Sequence, residues 1–309
     1  MIVKEDIKSS SITWFPKSYP EEVGTISALY QPESRAELIE LGKRFYSTGQ
    51  AFRVIGHCSN IYIEPSFSAG NIISTRKLNS WIVSDDYIEC DCGVIVSSLS
   101  KEMVKEGIKG FDGLTDLPGT LAGSIYGNSS CYGFSINAIL LDVDVLLPTG
   151  EIKRLIPAML NATYRMTDFK RGKINGIIVS ARLKKDLGDK QTIEKEAERI
   201  HKLRVETQPS PAYNLGSMYR DRGRHTVLYH IVKTMAVLCA KVTRKKEYKN
   251  EAIRYYFFKL LGASDLLPYT GNELNRYYWR DEKAHSVFPK FLRLHKLLYT
   301  RSDLEIEIW

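Results

Sequence analysis

The first quarter of the chain switches between two spacings of hydrophobic residues, one typical of strands and the other typical of a helix. Short apolar runs predict strands at 25–30, 52–55, 61–63 and 71–75. In the stretch 35–49 the apolar residues recur every three or four positions, with Ser34 placed to cap the start of a helix and Gly49 to end it. The pattern predicts a β-α-β opening. Its polar loop, 56–60, follows the carboxyl end of a strand, where α/β folds place ligands.

The middle of the chain carries hairpin signals. Asp85 and Asp86 separate two apolar runs, and the sequence Pro-Thr-Gly-Glu at 148–151 separates two more. The pattern predicts strands at 80–84, 87–92, 139–147, 152–155 and 177–183, and helices at 98–107 and 192–206.

The last third of the chain has a different composition. Pro209 and Pro211 mark a boundary, and a basic region rich in tyrosine follows it. Helical spacing then predicts a last helix at 287–302, before a terminal strand at 304–309.

Composition narrows the class of protein. Of 309 residues, 43% are hydrophobic and 26% are charged, which is typical of a soluble globular chain long enough for two domains. There is no apolar run of membrane-spanning length and no signal-peptide core at the amino terminus. The five cysteines form neither a disulfide framework nor a zinc-ligand pattern. We therefore expect a cytoplasmic protein without a metal site.

Positive charge is concentrated in one region. Residues 218–259 hold eleven Lys or Arg and three Asp or Glu, a net charge of +8 that equals the formal net charge of the whole chain. Such a region is typical of a protein with an anionic partner, either a nucleotide, an acidic membrane surface or nucleic acid, although a solvated helix face is an equal alternative.

The stretch 116–133, DLPGTLAGSIYGNSSCYG, is the strongest local signal for a ligand. It contains four glycines among small Ser, Thr, Ala and Asn residues. Glycines of this density let a ligand approach the backbone closely, and exposed backbone N–H groups suit phosphate or a polar heterocycle. A pair of ordinary turns is the alternative interpretation.

This stretch is one of five motifs that together resemble those of a known protein family. They are VIGHCSN at 54–60, DLPGTLAGS at 116–124 with NSSCYG at 128–133, TYRMTDFK at 163–170, RVETQP at 204–209 with GSMYRD at 216–221, and LEIEI at 304–308. Together they resemble the motifs of the UDP-N-acetylenolpyruvoylglucosamine reductase family, the UDP-N-acetylmuramate dehydrogenases of peptidoglycan synthesis. The resemblance extends from about residue 25 to the end of the sequence.

The resemblance implies an α+β fold with two parts. One is a two-lobed FAD-binding domain of the vanillyl-alcohol-oxidase/PCMH type, and the other is a smaller α+β substrate-binding domain. The implied boundaries are an amino-terminal extension at 1–22, the FAD-binding domain at 23–188 with subdomains at about 23–77 and 78–188, and the divergent, basic substrate-binding domain at 189–309.

The resemblance also implies FAD as cofactor, NADPH as hydride donor and a nucleotide sugar as substrate, with no nucleic-acid partner. The basic region, separately from the resemblance, leaves a peripheral membrane contact open. The implied cofactor-binding residues are Gly56, His57, Cys58, Ser59, Asn60, Pro118, Gly119, Thr120, Gly123, Ser124, Asn128, Tyr132 and Gly133. The implied substrate-binding residues are Tyr164 and Arg220.

Three residues match the catalytic residues of the family. Arg165 would hold the substrate carboxylate and stabilise an enolate, Ser217 would deliver a proton, and Glu307 would polarise that region. Taken singly, these residues also suit a surface arginine beside a strand, a turn serine and an acid on an edge strand.

The substrate half departs from the family pattern. The family's F-K-N-P appears here as Tyr-Arg-Asp-Arg at 219–222, and the segments that usually follow are not recognisable. Asp221 would repel phosphate, whereas Arg220 would bind it. We therefore expect a divergent reductase with an altered nucleotide-sugar substrate in cell-wall or surface-polysaccharide synthesis. The alternatives are an FAD-linked sugar or alcohol oxidase or dehydrogenase of the same fold, and a non-catalytic flavin-fold binding protein.

Overall fold

The structure is a computed structural model that describes residues 10–13, 22–64, 66–207, 215–220, 223–242, 249–271, 274–300 and 303–309. Contacts divide the chain into two compact units. Unit 1 contains residues 10–12, 22–59 and 66–207, and unit 2 contains residue 13, residues 60–64 and the described residues from 215 onwards.

The chain contains both strands and helices. The strands are β1 (Ser10–Thr13), β2 (Glu22–Tyr30), β3 (Phe52–Ile55), β4 (Ile61–Tyr62), β5 (Ser68–Ser74), β6 (Trp81–Val83), β7 (Tyr87–Asp91), β8 (Ser130–Cys131), β9 (Phe134–Ser135), β10 (Leu140–Leu146), β11 (Ile152–Leu155), β12 (Ile177–Lys184), β13 (Arg224–His225), β14 (Tyr299–Thr300) and β15 (Glu307–Ile308). The helices are α1 (Arg35–Thr48), α2 (Val96–Lys105), α3 (Leu121–Gly127), α4 (Ile136–Ile139), α5 (Lys190–Thr207), α6 (Val227–Val242), α7 (Lys249–Leu260) and α8 (Lys283–Leu298).

The β-α-β opening forms as the hydrophobic spacing predicts. Within the described residues, β1, β2, β5 and β3 make one sheet in that order, with β5 parallel to both β2 and β3. The Ser34 side chain caps α1 by accepting a hydrogen bond from the Glu37 N–H at 3.2 Å, and Gly49 ends the helix with a φ of 65°. Helix α1 buries Leu38 and Phe45.

A second sheet follows the hairpin signals of the middle segment. Its order in the described chain is β11-β10-β12-β7-β6, and neighbouring strands are antiparallel. Along β12, residues 177–181 are all buried, so this central strand carries a nearly continuous apolar run. The Arg182 guanidinium pairs with the Asp142 carboxylate of β10, and this hydrogen bond raises the pKa of Arg182.

Helix α5 belongs to unit 1 by its contacts. Its Ile193 and Ala197 lie in the same hydrophobic core as Leu183 of β12 and Met103 of α2. The compact unit therefore continues through α5, whereas the predicted domain boundary at 188/189 assigns this helix to the second domain.

Unit 2 has an aromatic core. Tyr277, Trp279, Phe288 and Phe291 are almost completely buried, and the rings of Tyr277 and Trp279 meet edge to face with centroids 4.9 Å apart. The predicted last helix at 287–302 was wrong at both ends, because α8 begins at Lys283 and the backbone becomes extended at Tyr299.

The strand predicted at 304–309 is reduced to the two residues of β15, which pairs parallel with β4. None of the described helices is long and apolar enough to cross a membrane.

Candidate functional site

Two glycine-containing loops of unit 1 touch each other. A Cβ atom on Gly56 would lie 2.3 Å from Oγ1 of Thr120, and a Cβ on Gly119 would lie 2.7 Å from Oγ of Ser59. Gly119 also has a φ of 103°, which other residues rarely adopt. The loops at 56–59 and 118–120 therefore need glycine at both contacts, and they form one surface of small polar residues.

Part of the predicted Gly-rich loop is helical. Thr120 caps α3, and its Oγ1 accepts a hydrogen bond from the Gly123 N–H at 3.3 Å. The N–H groups of Leu121 and Ala122 donate to the carbonyls of Val94 and Cys92 at 2.8 and 2.9 Å. The N–H groups of the first turn of α3 are thus already bound by groups of the protein itself. Pro118 is exposed, whereas the side chain of Ser124 on α3 is buried.

His57 and Cys58 lie in this loop beside a cation. Nε of Arg76 donates a hydrogen bond to the Gly56 carbonyl at 3.0 Å. Cys58 is 4% exposed, and burial raises the pKa of its thiol to about 11, although Arg76 opposes the shift. Burial and the positive charge of Arg76 lower the pKa of the half-buried His57. A neutral imidazole and a neutral thiol beside an arginine leave the loop with net positive charge.

Asn128 connects the Gly-rich stretch to the predicted catalytic arginine segment. It ends α3 in the left-handed conformation, with a φ of 46°, and its Nδ2 donates to the Thr163 carbonyl at 2.8 Å. Its Oδ1 is buried and accepts no hydrogen bond from any described residue. A buried acceptor without a protein donor fits a polar ligand such as a flavin.

The remaining cofactor candidates of the stretch form a tight hairpin. Strands β8 and β9 are antiparallel and are joined by Tyr132 and Gly133, with φ values of 47° and 90°. This two-residue connection with positive φ at both positions is the geometry that matches strand twist.

Helix α5 contacts the Gly-rich stretch at three points. His201 Nδ1 lies 2.7 Å from Oδ2 of Asp116, Arg204 donates to Sγ of Cys131 at 3.4 Å, and the Tyr132 hydroxyl lies 3.2 Å from Oγ1 of Thr207. These contacts show how α5 holds the stretch from one side. One of these contacts had a signal in the sequence, since Arg204 opens the fourth motif.

Arg165 occupies a strained turn. Thr163 and Met166 exchange backbone hydrogen bonds of 2.8 and 3.2 Å, so Tyr164 and Arg165 form the two-residue connection between them. Arg165 has a φ of 56°, an uncommon conformation for a residue other than glycine, and such strain is often found at functional sites. Tyr164 is 61% exposed, with the Arg165 guanidinium 5.6 Å from its ring centroid.

A polar network around the buried Asp168 supports this turn, and the sequence did not reveal it. Asp168 accepts hydrogen bonds from Asn161 Nδ2 at 2.7 Å and from Arg171 at 2.9 Å. Arg171 also donates to Oγ1 of Thr163 at 2.8 Å. The Asn161 hydrogen bond, followed by Arg171, lowers the pKa of Asp168. The network fixes the base of the turn, so Arg165 is presented by a rigid segment.

Unit 2 brings Asn60, Ser217 and Glu307 onto neighbouring backbone segments. Asn60 binds the carboxy-terminal segment twice, because its Nδ2 donates to the Glu305 carbonyl at 3.0 Å and its carbonyl accepts from the Glu307 N–H at 2.9 Å. The Glu305 N–H donates to the carbonyl of Met218, the residue after Ser217, at 2.9 Å. Ser217 and Glu307 are both half-buried.

Arg220 is paired with a carboxylate that the sequence did not predict. Its Nη2 contacts Oδ2 of Asp303, and its backbone N–H donates to the Asp303 carbonyl at 2.9 Å. The sequence-based expectations for Gln208, Pro209 and Asp221 lie outside the described residues. Within the described ranges, no group of three or more His, Cys, Asp or Glu side chains is arranged to hold a metal ion.

Comparisons with known proteins show what this chain resembles. Residues 26–156 match a family model described as an FAD binding domain. A UDP-N-acetylenolpyruvoylglucosamine reductase of Streptococcus suis strain 05ZYH33 is 27% identical over 203 residues, which are 66% of this chain and 67% of that protein. The reductase of Carboxydothermus hydrogenoformans is 30% identical over 199 residues, 64% of this chain and 65% of the relative. The chain is thus similar to UDP-N-acetylenolpyruvoylglucosamine reductases, and its residues 26–156 form an FAD binding domain.

The FAD binding domain and the similarity to these reductases confirm the predicted class, a flavin-dependent oxidoreductase with FAD as its cofactor. The predicted fold is confirmed as well. The crystal structure of a UDP-N-acetylenolpyruvylglucosamine reductase from Thermus caldophilus aligns with 93% of this chain and 93% of its own, with a TM-score of 0.64 at 18% identity. The aligned region spans about two thirds of the length of the curated relatives.

Proposed function

We propose that this protein is an NADPH-dependent reductase of UDP-N-acetylglucosamine enolpyruvate or of a closely related nucleotide sugar, acting in cell-wall or surface-polysaccharide precursor synthesis. The names of its relatives and the FAD-binding domain support the reaction class. Asn128 carries the proposal, since one side chain offers a buried acceptor beside the Gly-rich loops and braces the Arg165 turn.

The residues proposed to hold FAD are small or polar. They are the loop residues Gly56, His57, Cys58, Ser59 and Asn60, the second loop with α3 at Pro118, Gly119, Thr120, Gly123 and Ser124, and the segment of Asn128, Tyr132 and Gly133. When bound, FAD would take hydride from NADPH and supply it to the enolpyruvyl β-carbon.

Arg165 is proposed to stabilise the charge that this hydride transfer creates. Addition at the β-carbon leaves a carbanion at the α-carbon, which is delocalised into the neighbouring carboxylate as an enolate. A guanidinium binds a carboxylate through two parallel N–H donors, and these hydrogen bonds become stronger as negative charge grows on the oxygens. The rigid turn at 163–166 would present it without a change of backbone conformation.

Ser217 and Glu307 are proposed to complete the addition. The enolate needs a proton at the α-carbon, and the Ser217 hydroxyl would donate it. Glu307, held in β15 by its hydrogen bond to Asn60, would polarise this region as a hydrogen-bonded acid.

Tyr164 and Arg220 are proposed to bind the substrate outside the reacting atoms. The exposed Tyr164 ring offers a stacking surface, and Arg220 is a candidate phosphate ligand. The Asp303 carboxylate already pairs with Arg220, so a diphosphate would compete with it. This competition, together with the altered motif at 219–222, supports a substrate related to, but different from, that of the relatives.

The decisive experiment separates the two half-reactions of Ser217→Ala by stopped-flow absorbance at the flavin band. We expect NADPH to reduce the bound flavin at the wild-type rate, and reoxidation by the enolpyruvyl nucleotide sugar to slow at least 100-fold, within the usual range for general acid catalysis. Ser286→Ala, on the exposed face of α8, is the matched control and should change neither rate.

Other outcomes identify the alternatives. Equal slowing of both half-reactions in Ser217→Ala would contradict the proton-donor role. Flavin reduction by a sugar alone would indicate an oxidase or dehydrogenase, and a purified protein that shows no flavin spectrum after FAD addition would indicate a binding protein. A cytoplasmic location and the absence of a nucleic-acid partner stay predictions.

A further inference from the structure

Helix α6 presents an apolar stripe to solvent. Its members are large hydrophobic side chains between 40% and 81% exposed, namely Leu228, Ile231, Met235, Leu238 and Val242. They alternate at spacings of three and four residues, so they lie along one side of the helix. We call these five residues the α6 stripe.

The rest of α6 explains why this side faces outwards. The buried residues of the helix are the smaller Val232, Ala236 and Ala240, which let α6 lie close to α7 and α8. The larger apolar residues are left on the outside, the reverse of the usual arrangement in a surface helix. Exposed patches of this kind mark interaction surfaces in soluble proteins.

Charge around the stripe limits the kind of partner. Helix α6 has no acidic residue, and Lys241 lies within its last turn between Leu238 and Val242. The stripe lies in the region 218–259, which carries the +8 charge. The complementary surface is therefore both apolar and anionic.

A second copy of the chain does not meet these requirements. A helix of 16 residues is about 24 Å long and about 10 Å wide, so its face offers a few hundred Å². A standard stable interface needs about 800 Å² from each partner. Two copies would also bring two basic regions together, which costs free energy.

We propose that the α6 stripe docks this protein on an anionic lipid bilayer. Helix α6 would lie parallel to the membrane, with the stripe among the acyl chains near the headgroups and Lys241 at the level of lipid phosphates. The protein is then peripheral to the membrane and is held by apolar insertion and electrostatic attraction together.

Vesicle co-sedimentation of the flavin-loaded protein tests this proposal. Vesicles of phosphatidylcholine alone are compared with vesicles containing about 30% phosphatidylglycerol. We expect binding to the anionic vesicles that weakens between low and high salt, as screened electrostatics requires. Lys241→Gln should weaken it about fivefold, since one lysine near an anionic surface contributes roughly 1 kcal/mol.

The stripe itself is tested by Ile231→Asp and Leu238→Asp together, which should abolish the binding. Leu187→Asp places the same charge at an exposed leucine of unit 1 and should leave binding intact. Circular dichroism and flavin content verify that each variant is folded. The two half-reactions with soluble substrate should be unchanged, so a failure of membrane docking is distinguishable from a failure of the proposed enzyme activity.

Three results would overturn the proposal. The first is equal binding to neutral and anionic vesicles, and the second is equal loss in the Leu187→Asp control. The third is no vesicle binding but self-association in sedimentation velocity that the Ile231→Asp/Leu238→Asp variant removes, which would assign the stripe to a dimer.

Discussion

Two substitutions in the strained Arg165 turn separate the effect of backbone strain from the effect of charge. Arg165→Ala and Arg165→Gly both remove the guanidinium, but only glycine adopts the observed φ of 56° without strain. A left-handed conformation costs an L-residue about 1 kcal/mol or more, and the extra flexibility of glycine in the unfolded chain offsets part of this difference. We expect Arg165→Gly to stabilise the turn by about 1 kcal/mol relative to Arg165→Ala, or about fivefold in its opening equilibrium.

Amide hydrogen exchange measures this difference locally. The N–H groups of Thr163 and Met166 form the two hydrogen bonds of the turn, so their protection factors report its opening. In Arg165→Gly the protection should be about fivefold higher than in Arg165→Ala. Both variants should keep NADPH-driven flavin reduction and lose reoxidation by the substrate, because the charge is absent from both.

Two results would refute this reasoning. Lower protection in Arg165→Gly than in Arg165→Ala would show that the φ value does not strain the turn. If the flavin of Arg165→Ala were reoxidised by the substrate at the wild-type rate, Arg165 would have no part in the proposed chemistry. Arg165→Lys keeps the charge and the strain but loses the planar pair of donors, so partial activity is expected.

Three further predictions follow from individual contacts. Gly56→Ala forces a Cβ to 2.3 Å from Thr120 Oγ1 and should raise the Kd for FAD at least tenfold in a fluorescence titration. The control Gly127→Ala meets no atom within 4 Å and should leave the Kd unchanged, so equal Kd values for the two variants would contradict the loop contact. Asn128→Gly keeps the left-handed conformation and removes only the amide, so both FAD affinity and Thr163 amide protection should fall, and no change in either would exclude a bridging role. Burial lowers the pKa of His295 from its usual 6.5 to about 4, so the unfolded chain binds more protons than the folded protein between these pH values, and the free energy of unfolding should decline as pH falls through this range. In urea unfolding, His295→Phe should remove a pH dependence of at most about 1.4 kcal/mol per pH unit, and an unchanged pH dependence would contradict the assignment.

Local signals predicted the elements that depend on local sequence. Helix α1 follows its Ser34 cap and Gly49 stop, and the hairpin of β10 and β11 follows its Pro-Thr-Gly-Glu turn. These elements were predictable because residues a few positions apart determine their ends.

Long-range contacts decide the features that the sequence did not predict. Helix α3 forms in a glycine-rich stretch whose first N–H groups bind the carbonyls of Val94 and Cys92, some thirty residues earlier. Arg220 pairs with Asp303, which is 83 residues away. Nothing in the local spacing marks such partners, so the family motifs identified candidate site residues but not the contacts that hold them.

The buried Cys58 thiol has a consequence for the durability of the protein. Reduced flavins react with oxygen and release hydrogen peroxide, and peroxide attacks the thiolate form of cysteine. With a thiol pKa of about 11, roughly one Cys58 in ten thousand is a thiolate at neutral pH. The loop proposed to hold the flavin therefore contains a sulfur atom that resists the oxidant its own cofactor would generate.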